Sequence, residues 1–369
     1  MVRGSNLNYD AIIFGGGPAG AAAALALARK SFSVGLLAKP RHAPPVGETV
    51  PPEIIRPLSH LGLWETFRAA DHAAAPGTVV IWGDERPFEN DFLFNPYGPG
   101  WHLDRAAFDA MLLEAAQAAG TQVHECSVLD CVRVDDLGWR VRIDPADGSR
   151  ALVARWAIDA TGRPAWLAKR AGARRHRVDR LIAVVRFASA SSMTETRTLI
   201  EACPEGWWYA AALPENRVVA AFFTDAELLP NGTAERAKLW DRMFAQSQLI
   251  SSILPGFPVE ARFHTVAACS GRILPCAGTN WVAIGDAAQT YDPLSGQGIA
   301  KAMASALQAA EFIAEDRFQN RTAIEEFAMA TAREYELYLT NRSAHYRRER
   351  RWSRHPFWQR RQQGSRITA

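Results

Sequence analysis

Residues 9–20 read YDAIIFGGGPAG, and this stretch decides the fold of the chain. The apolar run before the glycines predicts a buried strand, and the Ala- and Leu-rich run 21–30 predicts a helix. A second apolar strand is expected at 33–37. In this βαβ context, GxGxxG is a dinucleotide fingerprint, because the glycines allow a tight turn, close approach of a pyrophosphate and packing of helix on strand. The residues predicted to contact the nucleotide are Gly15, Gly17, Pro18, Ala19 and Gly20.

One position departs from this fingerprint. The acid expected after the second strand, for the ribose hydroxyls, is replaced by Ala38, and Lys39 and Arg41 follow it. The ribose contact is therefore expected from the backbone or from a neighbouring side chain.

A second turn between a strand and a helix is predicted at residues 285–299, GDAAQTYDPLSGQGI. Asp286 at the strand end can accept hydrogen bonds from sugar-like hydroxyls. Gly296 and Gly298 let the backbone approach a flat ligand, while the helix N-terminus favours negative charge. A flavin has these needs, since it carries a polyhydroxyl chain and a ring that becomes anionic on reduction. An ordinary structural turn is the alternative.

The bulk composition excludes several classes of protein. At 369 residues the chain can hold two domains, or one with an insertion, and a net charge of +3 implies no strongly charged partner. Five scattered cysteines without CxxC spacing favour reduced thiols over a disulfide framework or a metal site. We read neither a signal peptide nor a stop-transfer segment, so we expect a cytoplasmic protein without a membrane partner.

Three polar residues in the first third are candidates for chemistry, each with a plainer alternative. Glu48 lies in the proline-rich loop PPVGETVPP, as a solvated turn acid or as an acid near the flavin ring. His102 is either a structural or a catalytic histidine. Arg105, just after the N-cap candidate Asp104, binds either a phosphate or carbonyl group or an acid at the surface.

The middle of the chain is rich in strands, and the end is basic. Residues 181–224 alternate as an antiparallel sheet would, and carry Trp207, Trp208 and Tyr209, which either pack in the core or line a pocket for a flat substrate. Residues 342–361 hold eight arginines against one acid, Glu349. We expect a helix packed on the cofactor domain there rather than a surface for nucleic acid or membrane.

Together, GGGPAG, GETVPP, WHLDRAAFD, DATGR and GDAA with DPLSGQG resemble the FAD-dependent monooxygenase and halogenase superfamily with the p-hydroxybenzoate hydroxylase-like fold. The resemblance implies an α/β fold: a Rossmann-like FAD-binding domain with an inserted antiparallel β-sheet substrate domain and a C-terminal helical tail. The expected FAD-binding domain covers 1–75, 101–175 and 270–320, the substrate domain 76–100 and 176–269, and the tail 321–369.

The same resemblance assigns roles to individual residues. Glu48 and His102 are candidates for proton handling, and Trp207, Trp208 and Tyr209 for substrate contact. The residues expected at FAD are Gly15, Gly17, Pro18, Ala19, Gly20, Lys39, Glu48, Thr49, Arg105, Val128, Gly285, Asp286, Pro293, Gly296, Gln297, Gly298 and Ile299.

Two features separate the branches of the superfamily. Halogenases need a lysine from the early segment and a W-x-W-x-I-P sequence, whereas this chain has no lysine between Lys39 and Lys169 and reads WWYAAALP at 207–214. Halogenation is therefore not expected. The segments GWWYAA, FFTDA and RRWSRHPFW look most like flavoprotein monooxygenases that mature tryptophylquinone cofactors, of the quinohemoprotein amine dehydrogenase type.

The resemblance implies that reduced FAD and O2 form a flavin C4a-hydroperoxide, which hydroxylates an electron-rich ring, here a tryptophan of a peptide or protein. NAD(P)H or a partner reductase would supply electrons. We expect a monomer that does not bind nucleic acid. The alternatives are a small-molecule aromatic hydroxylase, a flavin reductase of the geranylgeranyl reductase type and a non-catalytic flavoprotein partner.

Overall fold

A computed structural model describes residues 7–39, 47–134, 138–146, 148–189, 194–255, 257, 263–315 and 320–362. Arg41 and the first part of the proline-rich loop lie outside the described residues.

The described residues form α-helices that are longest in the cofactor-binding part and at the C-terminal end. They are Pro18–Arg29 (α1), Ile55–His60 (α2), Trp64–Ala69 (α3), Arg105–Ala118 (α4), Trp166–Arg170 (α5), Thr233–Gln246 (α6), Leu249–Ile253 (α7), Gly298–Ala314 (α8), Arg321–Arg348 (α9) and Pro356–Gln362 (α10). Short 3-10 turns occur at Pro52–Ile54, Ala226–Leu228, Gly285–Ala287 and Pro293–Ser295.

The strands fall into two larger and two smaller sheets. In the first half they are Leu7–Phe14 (β1), Val34–Ala38 (β2), Thr49–Val50 (β3), Ala73–Ala75 (β4), Gly77–Ile81 (β5), Phe88–Asp91 (β6), Gly100–His102 (β7), Gln122–Val134 (β8), Gly138–Pro145 (β9) and Arg150–Asp159 (β10). In the second half they are Arg174–Arg177 (β11), Leu181–Ser189 (β12), Thr198–Cys203 (β13), Gly206–Leu213 (β14), Arg217–Asp225 (β15), His264–Ala267 (β16), Gly271–Leu274 (β17), Ala277–Gly278 (β18), Trp281–Ala283 (β19) and Gln289–Thr290 (β20).

The first large sheet is the expected Rossmann-like unit. Strands β8, β2, β1, β10 and β19 run parallel in that order, and β9 pairs antiparallel with both β8 and β10. Helix α1 is almost entirely buried, and its alanines allow close packing against α4 and α8. Parallel strands place their carboxyl ends at one edge, so the turns after β1, β10 and β19 meet there.

The second large sheet lies across the substrate part of the chain, in the order β16, β12, β15, β14, β13, β5 and β6. Its pairs are antiparallel, apart from the parallel pair of β13 and β5. Helices α6 and α7 cover one face, and the end of α9 together with α10 covers the other. The predicted fold class is confirmed, while the exact domain boundaries stay a prediction.

The long helix α9 contacts more of the molecule than the sequence suggested. With 28 residues, α9 spans about 42 Å. Its Phe327 joins the core of the cofactor-binding part, its Tyr335 and Tyr338 pack on Tyr291, and its Tyr346 joins the core of the second sheet. The earlier part of α9 therefore packs on the cofactor-binding part. The basic segment 342–361, which was expected to pack there too, instead packs its Tyr346, Phe357 and Trp358 on the substrate sheet.

Acids from distant parts of the chain bind the arginines of the tail. Arg361 contacts Asp225 at 2.7 Å, and Arg360 contacts the same carboxylate at 3.0 Å. Arg342 binds Asp179 at 2.8 Å. Arg342 and Arg361 are buried with these acids, whereas Arg347, Arg348, Arg350, Arg354 and Arg360 are exposed. Only part of the local positive charge is therefore neutralised inside the fold. None of the helices in the described ranges combines the length and apolar character needed to cross a bilayer.

Removing the charge of Asp225 should loosen the tail. Both side chains of the Asp225–Arg361 pair are 3% exposed, so Asp225→Asn leaves a buried guanidinium without its counterion and should lower the free energy of unfolding by about 3 kcal/mol. The free energy would be measured by urea denaturation. Glu325→Gln is the control, since its partner Arg321 on α9 is 92% exposed, and it should change stability by less than about 0.5 kcal/mol. Equal losses in both variants would contradict this role of Asp225.

Candidate active site

The first glycine turn leaves a helix N-terminus open for an anionic group. Gly17 is the N-cap of α1 and Pro18 its first residue, and no described side chain caps the helix. The first amides of α1 therefore remain available, as a pyrophosphate requires. Among the other residues expected here, Lys39 is exposed just after β2, and Val128 is half-buried at an irregularity of β8. In the pairing of β2 with β8, Ala38 lies opposite Glu125, so both residues follow the paired part of these strands. Their contact with the nucleotide stays a prediction.

The second turn offers another uncapped helix N-terminus. Helix α8 begins at Gly298, with Gln297 as its N-cap and no described side chain capping it. Gly296 adopts a left-handed conformation with φ of +62°, and an added Cβ at Gly296 or Gly298 would meet no described atom within 4 Å. Pro293 and Gln297 are exposed, and Ile299 is half-buried. This open backbone beside a helix dipole fits a flat ring that gains negative charge.

Positively charged side chains surround Asp286, and none of them was assigned a role from the sequence. Its carboxylate lies 3.4 Å from Nζ of Lys301 and 3.7 Å from Nε of Arg163. Arg175 donates to the backbone carbonyl of Asp286 at 2.9 Å. Burial lowers the pKa of Lys301, and Asp286 opposes that shift. Arg163 was visible in the DATGR turn, whereas Arg175 lies on a distant strand and only the fold brings it here.

Buried Glu48 and His102 form one cluster with half-buried Thr49 and Tyr209, because β3 pairs with β7 in a register that sets Thr49 opposite His102. Oγ1 of Thr49 and the hydroxyl of Tyr209 are 2.6 Å apart. Nε2 of His102 lies 2.9 Å from Oγ1 of Thr198. Strand β3 also contacts α8. The cluster therefore lies between the α8 side of the cofactor groove and the substrate sheet.

Burial sets the protonation of this cluster. It raises the pKa of Glu48 to about 7, against the lowering effect of Arg105. It lowers the pKa of His102 to about 4, so the imidazole is neutral at neutral pH. The pKa of Tyr209 is also raised by burial, with a further contribution from Glu48. Oε1 of Glu48 and Nδ1 of His102 have no hydrogen-bond partner among the described atoms, and this leaves two sites for a ligand or a proton.

Arg105 is held from two sides. It donates to the carbonyl of Gly47 at 2.9 Å and contacts the carboxylate of Asp109 one helical turn later at 3.3 Å. Its side chain is 10% exposed, so the pair is largely buried rather than a surface salt bridge. Through Gly47, Arg105 fixes the loop that carries Glu48.

The three aromatic residues proposed for substrate contact do not lie together. Trp207 stacks on Phe223 with ring centroids 3.9 Å apart. Trp208 is fully buried on the opposite face of the sheet, where it packs against Trp240. Tyr209 alone of the three reaches the Glu48 cluster. The period of two along a strand explains why Trp208 lies on the other face, while Trp207 and Tyr209 share one face.

The residues present fit FAD. Two uncapped helix N-termini, the carboxylate of Asp286 and the open backbone at Gly296 and Gly298 provide for the phosphates, the hydroxyl chain and the ring. In the described part of the chain, no group of His, Cys, Asp and Glu side chains is arranged as a metal site.

Comparisons with known proteins agree with this geometry. The family model for tryptophan halogenase matches residues 84–368. A protein of Marinomonas mediterranea named as the FAD-dependent oxidoreductase LodB is 30% identical over 361 residues, covering 96% of this chain and 97% of LodB. Tryptophan 2-halogenase of Chondromyces crocatus is 26% identical over 326 residues, covering 81% of this chain but 60% of that enzyme.

Two solved structures are similar over nearly the whole chain. The flavin-dependent halogenase CmlS superimposes with a TM-score of 0.86 at 24% identity, covering 96% of this chain and 67% of CmlS. Peptidyl tryptophan dihydroxylase QhpG, described as essential for tryptophylquinone cofactor biogenesis, superimposes with a TM-score of 0.82 at 28% identity, covering 98% of this chain and 80% of QhpG. The superfamily resemblance is confirmed: the chain belongs to the tryptophan halogenase family and is an FAD-dependent oxidoreductase of the monooxygenase type.

Proposed function

We propose that this protein hydroxylates the tryptophan side chain of a peptide or protein substrate, in the maturation of a tryptophylquinone cofactor. The observation that carries the proposal is the buried carboxyl group of Glu48, in the cluster with His102 and Tyr209, because its pKa of about 7 lets it exchange a proton near neutral pH. The similarity to peptidyl tryptophan dihydroxylase QhpG supports the choice of substrate. NAD(P)H or a partner reductase would supply the electrons.

The positions and contacts of the lysines favour oxygenation over halogenation. No lysine occurs between Lys39 and Lys169, the part of the chain where the resemblance expects the lysine of a halogenase. Lys301 is 7% exposed on α8, where it bonds the carbonyl of Gln289 and pairs with Asp286. An amine with two such partners has little capacity to hold an oxidised halogen.

When bound and reduced, FAD supplies the activation of O2. The residues of this chain bind it, orient it and move protons. The amide of Gly298 and the dipole of α8 would stabilise negative charge at the ring, and Asp286 would accept hydrogen bonds from the hydroxyl chain. Glu48 takes up or releases a proton at its Oε1 atom, and neutral His102 offers Nδ1 for a hydrogen bond. Tyr209 holds Thr49, and thereby the loop, against the sheet.

The first test measures the product. Wild-type protein loaded with FAD, reduced anaerobically and mixed with O2 and a tryptophan-containing peptide should add one or two oxygen atoms to the indole, as seen by mass spectrometry. The same reaction with chloride and bromide present should give no halogenated peptide. Free tryptophan is the control for a small-molecule hydroxylase. A halogenated product would contradict the proposal, and an unmodified peptide beside hydroxylated free tryptophan would move the substrate to small aromatic molecules.

The open backbone at α8 gives a second prediction. Gly298→Ala should leave the apoprotein as stable as the wild type or slightly more so, since the added Cβ meets no described atom within 4 Å and alanine favours a helix. The same methyl group should obstruct the ring and raise the dissociation constant of FAD by about tenfold. Flavin fluorescence titration measures the dissociation constant of FAD, and urea denaturation measures the stability of the apoprotein. Unchanged FAD affinity would place the ring elsewhere.

The raised pKa of Glu48 predicts how stability depends on pH. The folded state holds this proton with a pKa of about 7, against an ordinary value of 4.5. The stability that protonated Glu48 contributes is therefore full below about pH 4.5 and is lost as pH rises through about 7. Relative to Glu48→Gln, the wild-type apoprotein should lose roughly 3 kcal/mol across this window. Urea denaturation at several pH values measures the difference, and parallel pH profiles of the two proteins would contradict it.

A further inference from the structure

Asp292 begins the loop that leads to α8, and the C-terminal helix fixes its carboxylate. The residue is 1% exposed. Its Oδ2 atom accepts hydrogen bonds from Nε of Arg342 at 3.1 Å and from the hydroxyl of Tyr346 at 2.8 Å. Its backbone amide donates to the hydroxyl of Tyr338 at 2.7 Å. Three side chains of α9 therefore hold one residue that lies about fifty positions earlier in the chain.

The same guanidinium ties this contact to a second carboxylate. Nη2 of Arg342 donates to Asp179 at 2.8 Å, and the arginine side chain is 5% exposed. Asp179 in turn accepts from the backbone amide of Leu181 at 3.0 Å. Since the charged groups are out of water, their hydrogen bonds leave little freedom in the position of Asp292.

Asp292 transmits its position to the residues expected at the flavin ring. Its Oδ1 atom accepts from the amide of Leu294 at 3.1 Å, as the N-cap of the turn Pro293–Ser295. Gly296 follows in the left-handed conformation, and Gln297, the N-cap residue of α8, comes next without a capping hydrogen bond from its side chain. Only the short turn Pro293–Ser295 separates Asp292 from Gly296. A shift of the Asp292 carboxylate therefore moves the amides of residues 296–298.

The hydroxyl of Tyr346 connects this loop to the substrate sheet. It accepts a hydrogen bond from Nε1 of Trp207 on β14 at 3.1 Å while it donates to Asp292. We propose that Arg342 and Tyr346 are positioning residues that set the geometry of the flavin loop through Asp292. This rests on the proposed function only in requiring that residues 293–298 lie against FAD.

Tyr346→Phe and Tyr335→Phe form a matched pair for the test. Both tyrosines are buried on α9, but the hydroxyl of Tyr335 has no hydrogen-bond partner among the described atoms. Asp292→Asn removes the charge while keeping the shape of the side chain. Tyr346→Phe and Asp292→Asn should each raise the dissociation constant of FAD by about tenfold, the size expected for losing a charge-assisted hydrogen bond. Tyr335→Phe should leave it unchanged.

Two further readouts separate positioning from general stability. The absorption band and the two-electron reduction potential of bound flavin should shift in Tyr346→Phe and Asp292→Asn, because amides near the ring tune its electronics. Arg342→Lys, which keeps the positive charge, should restore part of the affinity that Arg342→Gln loses. The urea midpoint of each apoprotein shows whether the variant folds.

The proposal is overturned if Tyr346→Phe and Asp292→Asn bind FAD with wild-type affinity, spectrum and potential, whatever their stability. It is also overturned if Tyr335→Phe produces the same changes. These flavin readouts need no substrate. A wild-type protein that binds FAD but leaves the peptide unoxidised would refute the proposed substrate and would still allow the inference to be judged, whereas a wild type that does not bind FAD would refute both.

Discussion

The contact of three turns at one edge of the parallel sheet is the constraint on which the rest of the structure depends. A Cβ on Gly15 would lie 2.3 Å from the carbonyl oxygen of Ala160, and one on Gly20 would lie 1.8 Å from the carbonyl oxygen of Gly15. A Cβ on Gly285 would lie 2.8 Å from that of Ala19. No side chain can occupy these positions without moving the backbone, so β1, β10 and β19 reach one point only because the turns carry glycine. The helix N-termini of α1 and α8 converge on one groove as a result.

The acids around this groove have two opposite environments. Asp286 has Lys301 and Arg163 beside it, and Asp292 has Arg342. Oε1 of Glu48, in contrast, is buried without a hydrogen-bond partner among the described atoms, and the pKa of Glu48 rises to about 7. Leaving a buried acid unsatisfied costs stability that an apolar residue would not cost. Such a cost is typical of groups that exchange a proton during a reaction, and this is why Glu48 rather than either aspartate is the candidate acid.

Local sequence patterns predicted turns, helix caps and helices well, but they could not predict contacts between residues far apart in the chain. The glycine turns, the cap of α4 by Asp104 and the helical tail depend on neighbouring residues, and the sequence showed them. Strand β8 carries a register shift between Val128 and Asp130, which the local pattern of residues does not indicate. The excess of arginine in the tail gave no sign of its partners, since Asp179 and Asp225 lie more than a hundred residues earlier. Arg342 and Tyr346 were missed for the same reason.

The fold is shared with halogenases, so the side chains beside the groove must decide the chemistry. A halogenating site needs an amine free to hold an oxidised halogen, and the described cluster offers a carboxyl group, a neutral imidazole and two hydroxyls instead. In the proposed reaction, Glu48 would exchange a proton and the other groups would orient hydrogen bonds, as an oxygen transfer to an aromatic ring requires. The C-terminal helix α9 also connects the flavin loop to the substrate sheet. By bonding Asp292 and Trp207 through one hydroxyl, Tyr346 ties the flavin loop to the sheet that would carry the substrate. In the proposed reaction, a buried hydrogen-bonded contact rather than a free loop would set the separation between ring and substrate.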